Sequence, residues 1–284
     1  MLLDARATLR HHHLPIDSVV EGDLQIDIRP SPYCNWKMWI GRLLAAGLLV
    51  PGTPIIGLLV LLVRLTSPGP GIYRQCRVGQ NGKIFWLYKI RTMVHGAERR
   101  TGPAWAQPDD PRITRVGGVL RKLHLDEFPQ LFNVLRGDMT LIGPRPERPE
   151  FVQVLHRQVP GYLNRLVIRP GISGLAQVNL PPDIDLESVR RKLALDIEYI
   201  ATASPLLDFR LLCCTASHLL GIPGDAAMRL FRLTRNPDVA HTRYCMSRVR
   251  ELRGDQAMRK AMAIPEEEDG GVPISFGTPT TSDR

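Results

Sequence analysis

The fold of this chain is decided by one uncharged stretch, LLAAGLLVPGTPIIGLLVLLV, which runs from Leu43 to Val63. At about 1.5 Å of rise per residue, a helix of this length just crosses the roughly 30 Å hydrocarbon core of a bilayer. Arg42 and Arg64 border the stretch, so its flanks carry no charge bias that would orient a span. The segment therefore predicts membrane association without fixing its topology.

The centre of this stretch reads Pro51-Gly52-Thr53-Pro54. Two prolines remove backbone donors and kink a helix, which leaves two apolar halves that are each too short to span. We therefore expect a re-entrant helix-break-helix hairpin that enters and leaves by the same membrane face. A kinked transmembrane helix is the alternative. The hydroxyl of Thr53 can bond a carbonyl that a proline has freed.

Composition narrows the class of partner. The chain has 284 residues, 44% of them hydrophobic, and a formal charge of +9, which suits anionic lipids, nucleotides or nucleic acid. Few aromatic residues are interleaved with the basic ones and no nucleic-acid motif is found, so we expect no nucleic acid. Five cysteines without paired spacing do not indicate a disulfide framework.

Two adjacent carboxylates, Asp126 and Glu127, precede a second apolar segment. We expect a helix there that starts at Pro129 and stops at Gly137, with Leu131, Phe132 and Leu135 on one apolar face. The free N–H groups and positive dipole end of such a helix favour anions, which keeps Asp126 ionised and suits phosphate. An ionised carboxylate beside phosphate can be a nucleophile or a metal ligand. The alternative is an acidic cap on a surface helix.

Three turn-rich segments surround this acid pair, and each places an arginine beside proline or glycine. They cover residues 109–117 with Arg112, residues 137–147 with Arg145, and residues 169–179 with Arg169. Rigid turns aim a guanidinium, whose planar fork matches phosphate oxygens. Together they indicate a site for a multiply charged anion.

The remaining pattern predicts an α/β fold that is mostly α. Residues 72–78 and 84–90 alternate as a small β-hairpin, with Asn81-Gly82 as a type I′ turn. Residues 186–200 place Val189, Leu193, Ile197 and Ile200 on one helical face, Ser204-Pro205 starts another helix, and residues 160–179 read as loop. We expect a membrane-associated domain with the re-entrant hairpin, this β-hairpin and amphipathic helices at the membrane interface.

At these residues the chain resembles the monotopic phosphoglycosyl transferases, bacterial sugar transferases that initiate glycan assembly on undecaprenyl phosphate. The resemblance runs from about Trp39 to about Gly221. It includes LTSPGP at 65–70, YRQ at 73–75, RVG at 77–79, YKIRTM at 88–93 and the three arginine segments in the family's order. It implies transfer of a sugar 1-phosphate from a nucleotide sugar, usually a UDP-sugar, to undecaprenyl phosphate, with release of UMP. It also implies a place on the cytoplasmic face of the bacterial inner membrane.

The resemblance implies roles for individual residues. Asp126 attacks the phosphorus attached to the sugar and forms an aspartyl-phosphosugar intermediate, while Glu127 handles metal or protons. Both acids are expected to hold Mg²⁺, which prefers oxygen ligands and substrate phosphates. Pro51, Thr53 and Pro54 stand at the membrane break. The expected substrate-binding residues are Lys89, Arg91, Arg112, Arg145, Glu147, Arg169, Gln177 and Asn179.

The domains and partners follow from this reading. We expect a mobile arm at 1–37, the membrane hairpin at 38–65, the catalytic domain at 66–224, a basic extension at 225–263 and a disordered tail at 264–284. The extension lies on anionic lipids or is a solvated helix. The partners are a UDP-sugar, undecaprenyl phosphate and anionic lipids, with a homo-oligomer left open. The sequence does not indicate which sugar is transferred. A glycosyltransferase acting at the membrane and a catalytically silent scaffold are the alternatives.

The chain departs from the family's pattern at four places. Ile90 stands where an aromatic residue is common, Leu123 and His124 precede the acid pair where small hydroxyl residues are expected, and Leu180 stands where glycine is usual. None of them replaces a residue to which chemistry is assigned. We interpret His124 as a helical residue rather than a substrate contact.

Overall fold

The computed structural model describes residues 28–97, 110–183 and 185–240. All of them lie in the first of two units into which the chain divides, Met1–Tyr244 and Cys245–Arg284. Most of the predicted arm, the later part of the basic extension and the predicted disordered tail lie outside the described residues.

One helix, α1 (Tyr33–Thr66), contains the whole uncharged stretch, with Pro51 and Pro54 inside it. Within the described ranges it is the one helix that is long and apolar enough to cross a membrane, by length and composition alone. The two halves expected from the sequence are thus parts of one continuous helix. The Thr53 hydroxyl donates to the Leu49 carbonyl at 2.6 Å rather than to a carbonyl freed by proline, because it reaches back one helical turn.

The two faces of α1 have different surroundings. Cys34, Gly41, Ala45, Leu49 and Val63 are buried against the rest of the protein. Large apolar side chains on the opposite face are exposed: Trp36, Trp39, Leu43, Val50, Leu58 and Leu65 are among them. Such a continuous exposed apolar surface suits contact with lipid. The helix therefore packs on the protein core with one side and presents an apolar surface that suits lipid on the other.

The predicted hairpin is present with the predicted bounds. Strands β1 (Ile72–Val78) and β2 (Ile84–Ile90) pair antiparallel, with Val78 opposite Ile84. Asn81 has φ 54° and Gly82 has φ 78°, and Lys83 N donates to the Gln80 carbonyl, as the predicted type I′ turn requires. The turn prediction is confirmed, because its two central residues tolerate the left-handed region.

Residues 160–179 are not a loop, and that prediction was wrong. They form a 3₁₀ helix at Tyr162–Val167, a short strand and a five-residue helix. The strand, Gly171–Ser173, pairs in parallel with a second short strand, Thr140–Ile142. Elements of three to six residues are too short to show a hydrophobic period, so only their tertiary pairing defines them.

The remaining elements pack around these. They are α2 (Arg115–Lys122), α3 (Gln130–Arg136), β3 (Thr140–Ile142), α4 (Pro149–Gln158), β4 (Gly171–Ser173), α5 (Leu175–Asn179), α6 (Leu186–Thr202), α7 (Pro205–Leu219) and α8 (Gly224–Leu230). The predicted face of α6 is buried, and the Ser204 side chain accepts from Leu207 N at the start of α7. Both of these predictions are confirmed.

Helix α3 buries a different face from the predicted one. Leu131 is buried as expected, but Phe132 and Leu135 are 39% and 43% exposed. Asn133 takes their place inside, because its side chain accepts from Tyr88 N and donates to the Trp86 carbonyl. These bonds compensate a buried amide and tie α3 to β2.

The core places α3 between the membrane helix and the hairpin. One hydrophobic cluster joins Ala45 and Leu49 of α1, Leu87 of β2 and Leu131 and Val134 of α3. A second and larger cluster lies among α4, α6 and α7. The start of α3, which follows the acid pair, is therefore held by packing on two sides.

Two neighbouring glycines in α2 offer a test of this packing. A Cβ at Gly117 would collide with the Thr92 carbonyl, whereas a Cβ at Gly118 would meet nothing within 4 Å. We expect Gly117→Ala to lower the free energy of unfolding by about 1–3 kcal/mol through overpacking. Gly118→Ala should raise it by up to about 1 kcal/mol, because alanine favours a helix interior. Unfolding of both variants in the same detergent measures this, and equal effects would contradict the close approach of α2 to residue 92.

Candidate functional site

The acid pair lies in a tight turn between α2 and α3. His124 has φ 52°, in the left-handed region, so it ends the preceding helix and is not the helical residue that we expected. A 3₁₀ turn, Leu125–Glu127, follows, and Pro129 precedes α3. Phe128 reaches α1, where a Cβ added at Gly52 would lie 3.8 Å from its ring. The turn therefore places the acids next to a residue that contacts α1.

Glu127 is bound by two cations. Its Oε1 accepts from Lys89 Nζ at 2.9 Å and from Arg145 Nη2 at 2.7 Å. Burial alone would raise the pKa of Glu127, but the charges and hydrogen bonds of Arg145 and Lys89 outweigh it and hold the pKa far below its usual range. Glu127 is therefore an ionised carboxylate at neutral pH and a poor proton donor.

Asp126 is different from its neighbour. It is only 7% exposed, and across the described ranges its carboxylate has no hydrogen-bond donor and no ion pair. Burial raises the pKa of Asp126, and the nearby charge of Lys89 only partly opposes this. The sequence predicted that the helix start would stabilise the ionised form of Asp126, but burial has the larger effect on its pKa. When ionised, this poorly solvated carboxylate has its lone pairs free to react.

Arg145 extends the site on the other side of Glu127. Its Nη1 donates to Gln177 Oε1 at 3.0 Å, and its side chain remains 35% exposed. The Nε2 of Gln177 is buried and has no hydrogen-bond partner in the described part of the chain. Lys89, Glu127, Arg145 and Gln177 thus form one connected row beside Asp126, which we call the polar row.

Glu147 lies behind the polar row rather than in it. Its Oε2 is 3.5 Å from Arg77 Nη1, and the same Arg77 nitrogen donates to the Pro146 carbonyl at 3.0 Å. This arrangement supports the segment that carries Arg145. A substrate-binding role for Glu147 stays a prediction.

The structure gives the other predicted binding residues partners outside the polar row. Arg91 donates to the Ser67 carbonyl and hydroxyl, each at 2.8 Å, beyond the end of α1. Arg112 pairs with Asp110 at 2.6 Å, and Arg169 donates to the Gly137 carbonyl at 3.1 Å. Asn179 donates to the Leu175 and Leu233 carbonyls and accepts from Arg235 N. The roles of these four residues in substrate binding stay predictions. The contacts seen here are with main-chain or side-chain groups of nearby turns and helix ends.

Sequence reasoning missed Arg121. The positive charge of Arg121 lowers the pKa of Asp126 and so opposes the effect of burial. Its Nε donates to Thr92 Oγ1 at 2.9 Å. The signal available was its place in the last turn of α2, just before the acid pair. Three cations, on Lys89, Arg121 and Arg145, therefore surround two carboxylates.

The donor set fits a metal ion that brings other ligands with it. Among the residues that the structure describes, no group of three or more His, Cys, Asp or Glu side chains converges. The carboxylate oxygens of Asp126 and the Oε2 of Glu127 are the oxygens of the acid pair that could bind such an ion. Mg²⁺ commonly takes one or two carboxylates and completes its shell with substrate phosphates and water. The acid pair meets that requirement.

Comparison with known proteins finds a family match across this region. The bacterial sugar transferase family model matches residues 33–221, which include α1, the acid pair and the whole polar row. The chain is 40% identical over 218 residues to a UDP-N-acetylgalactosamine-undecaprenyl-phosphate N-acetylgalactosaminephosphotransferase of Aeromonas hydrophila, covering 72% of this chain and 51% of that protein.

Two further relatives span different shares of their own length. A UDP-glucose:undecaprenyl-phosphate glucose-1-phosphate transferase of Caulobacter vibrioides is 43% identical over 169 residues, 59% of this chain and 63% of that protein. The uncharacterized sugar transferase EpsL of Bacillus subtilis is 37% identical over 189 residues, 66% of this chain and 89% of that protein. The chain therefore spans about half to two thirds of the first two relatives and most of the third.

The contrast between the two acids predicts opposite effects on stability. Asp126→Asn should raise the free energy of unfolding at neutral pH, because it removes a buried charge without a hydrogen bond. Glu127→Gln should lower it by about 1–3 kcal/mol, because Lys89 and Arg145 lose their shared acceptor charge. Unfolding in detergent measures both effects. The gain in Asp126→Asn should shrink as pH falls through the raised pKa, since the wild-type acid is then protonated too. A Glu127→Gln variant as stable as wild type would contradict the two-cation clamp.

Proposed function

The chain belongs to the bacterial sugar transferase family, and from that premise we propose that it transfers a sugar 1-phosphate from a UDP-sugar to undecaprenyl phosphate and releases UMP. The observation that carries the proposal is the unpaired Asp126 carboxylate beside three cations. The names of the relatives supply the substrate class: UDP-N-acetylgalactosamine or UDP-glucose as donor, and undecaprenyl phosphate as acceptor. Such a transfer starts the assembly of an exopolysaccharide or another glycan.

The proposed reaction has two displacements at one phosphorus. An oxygen of Asp126 attacks the phosphorus that carries the sugar, and the bond from that phosphorus to the bridging oxygen breaks. UMP leaves with the electron pair, and an acyl phosphate joins Asp126 to the phosphosugar. An oxygen of the lipid phosphate then attacks the same phosphorus, and the Asp126 carboxylate is restored. Splitting the transfer in this way lets both substrates use one site in turn.

The polar row supplies charge rather than protons. Both attacking groups are anions, so neither displacement requires a proton to be removed, and Glu127 is held ionised by Lys89 and Arg145. We assign to Lys89 and Arg145 the binding of the donor's diphosphate. Glu127 keeps these two cations beside Asp126. Gln177, whose Nε2 lacks a partner in the described chain, would donate to oxygens of the donor.

Mg²⁺ belongs to this proposal as the ion that Asp126 and Glu127 would hold. When bound, it neutralises charge on the diphosphate and on the leaving UMP. The arrival of a diphosphate next to two carboxylates would otherwise place like charges together.

We also propose that the chain is monotopic and that its catalytic domain lies on the cytoplasmic face of the bacterial inner membrane. Just before α1, Ser31 N donates to the Ile200 carbonyl at 3.0 Å, and just after it the Ser67 carbonyl accepts from Arg91. Both ends of the helix therefore contact the same domain, which supports a re-entrant segment, since a spanning helix would carry one end across the bilayer. UDP-sugars are cytosolic, and the exposed face of α1 and the basic extension at 225–263 would meet lipid.

The first test of this proposal is the nucleotide product. Purified protein is mixed with undecaprenyl phosphate, Mg²⁺ and either UDP-N-acetylgalactosamine or UDP-glucose, and the released nucleotide is identified. We expect UMP from at least one donor. Asp126→Asn should reduce its release by at least about 10³-fold, because no other group in the site replaces the nucleophile. Glu150→Gln, which changes an exposed carboxylate of α4, is the control and should keep wild-type activity.

The alternatives have different outcomes in the same assay. Release of UDP would identify a glycosyltransferase, and no nucleotide release would favour a silent scaffold. Near-normal turnover in Asp126→Asn would refute the covalent step while leaving the overall transfer in place. Excess EDTA should stop UMP release, and added Mg²⁺ should restore it, so full activity in chelator would remove the metal from the proposal.

The topology is tested by labelling single cysteines in a cysteine-free background. Arg29→Cys reports the segment before α1, and Lys83→Cys reports the exposed turn of the hairpin. In intact cells we expect both to be protected from a membrane-impermeant reagent, and both to react once the membrane is opened. Replacing Pro51 and Pro54 by leucine removes the two helix-kinking residues from α1 and should move part of the Arg29→Cys population across the membrane. In the protein that keeps Pro51 and Pro54, labelling of Arg29→Cys while Lys83→Cys stays protected would establish a true span.

A further inference from the structure

The segment that carries Arg145 is held by three cations from distant elements. Lys37 Nζ donates to the Ile142 carbonyl at 2.7 Å, Arg165 Nη2 donates to the Arg145 carbonyl at 2.9 Å, and Arg77 donates to the Pro146 carbonyl. Each cation also has a carboxylate partner: Asp208, Asp196 and Glu147 respectively. None of these contacts is needed to define a helix or a strand. They all converge on residues 142–146.

Arg165 is the most completely fixed of the three. Its guanidinium also donates to the Tyr162 hydroxyl at 2.8 Å and lies 2.8 Å from Asp196 Oδ2. Both Arg165 and Asp196 are buried, at 5% and 2% exposure. A buried ion pair loses its hydration, so it contributes little to stability compared with apolar residues of similar size. The geometry of this pair therefore matters more to its surroundings than its contribution to stability.

The local backbone shows what Arg165 controls. Pro146 restricts Arg145 to extended conformations and has no N–H of its own. The peptide unit between Arg145 and Pro146 therefore offers only one hydrogen-bonding group, the Arg145 carbonyl. Arg165 is the residue that binds this carbonyl. It thereby fixes the peptide plane from which the Arg145 side chain extends to Glu127 and Gln177.

We propose that Arg165, oriented by Asp196, is a positioning residue that sets the Arg145 guanidinium for binding the donor's diphosphate. The inference rests on the proposed function, which assigns that diphosphate to Arg145. Arg165 itself does not touch the acid pair; it acts through the main chain of Arg145. Its effect should therefore fall on donor binding and leave acceptor binding nearly unchanged.

The test compares variants that separate positioning from stability. Arg165→Lys keeps the charge but lacks the planar fork that binds the Arg145 carbonyl and the Tyr162 hydroxyl while facing Asp196. The double variant Arg165→Met with Asp196→Leu replaces the ion pair by apolar side chains, which commonly preserves or increases stability. We expect both to raise the KM for the UDP-sugar that wild type uses by about ten- to a hundredfold, the effect of losing a charged hydrogen bond. The KM for undecaprenyl phosphate should change less than about threefold.

A matched control lies on the same helix. Glu198 of α6 pairs with Arg235 at 2.8 Å, and this ion pair does not involve residues 142–146. Glu198→Gln breaks that pair and should keep the wild-type KM for both substrates, with any loss confined to thermal stability. The expected split between the two KM values in the Arg165 variants is one that a purely structural role would not produce.

The outcomes separate this inference from the proposed function. Donor affinity measured by calorimetry requires no turnover, so UDP-N-acetylgalactosamine and UDP-glucose report on Arg165 even if wild type releases no UMP. Wild-type donor affinity in folded Arg165→Lys would overturn the inference, as would an equal rise in both KM values. If the double variant fails to fold, Arg165→Lys alone decides. Absence of UMP from wild type, with donor binding weakened in Arg165→Lys, would instead reject the proposed reaction and keep the positioning role.

Discussion

The site depends on one oxygen atom, Oε1 of Glu127, which two cations share. Lys89 comes from β2 and Arg145 from the segment after β3, so this single acceptor joins the hairpin, the turn and the Arg145 segment. Asp126, the adjacent residue, receives no such contact in the described chain. Burial therefore dominates its pKa, while the cations dominate that of Glu127. Two neighbouring carboxylates thus acquire different chemistry from their surroundings, and only one is left available to react.

Helix α1, the long apolar helix, is also part of the scaffold of the site. Its inner face supplies part of the cluster beneath α3, and Gly52 lies against Phe128, next to the acid pair. Near the start of the helix, Lys37 donates to the carbonyl of Ile142, the first residue of the 142–146 segment that carries Arg145. A conventional anchor would be joined to its domain by a linker and could move independently. Here the apolar helix is part of the scaffold, so its exposed apolar surface and the surface carrying the acids are held at a fixed separation.

The sequence predicted those parts that short-range rules govern. The hairpin follows from alternation and an Asn-Gly turn, α6 from its helical period, and the start of α7 from a serine-proline pair. The acid pair and Arg145 were found because several motifs occur in one order. The sequence could not show which arginines face the site, since a guanidinium satisfies helix-end carbonyls as readily as phosphates, as Arg91 and Arg169 do. Nor could it show Lys37, Arg165 or Asp196, whose partners lie on distant parts of the chain.

The charges around Asp126 also explain why the proposed reaction would proceed in two stages. Lys89, Arg121 and Arg145 carry three positive charges against the two negative charges of the acid pair, so under the proposal the site would attract one diphosphate, whose remaining charge a divalent cation would offset. A direct transfer would require the lipid phosphate to enter while that diphosphate is still bound. The second phosphate would add negative charge, and the polar row holds no cation besides Lys89 and Arg145 to offset it. Departure of UMP removes most of this charge before the acceptor arrives. A nucleophilic carboxylate that temporarily holds the phosphosugar is therefore the arrangement that this limited number of cations can support.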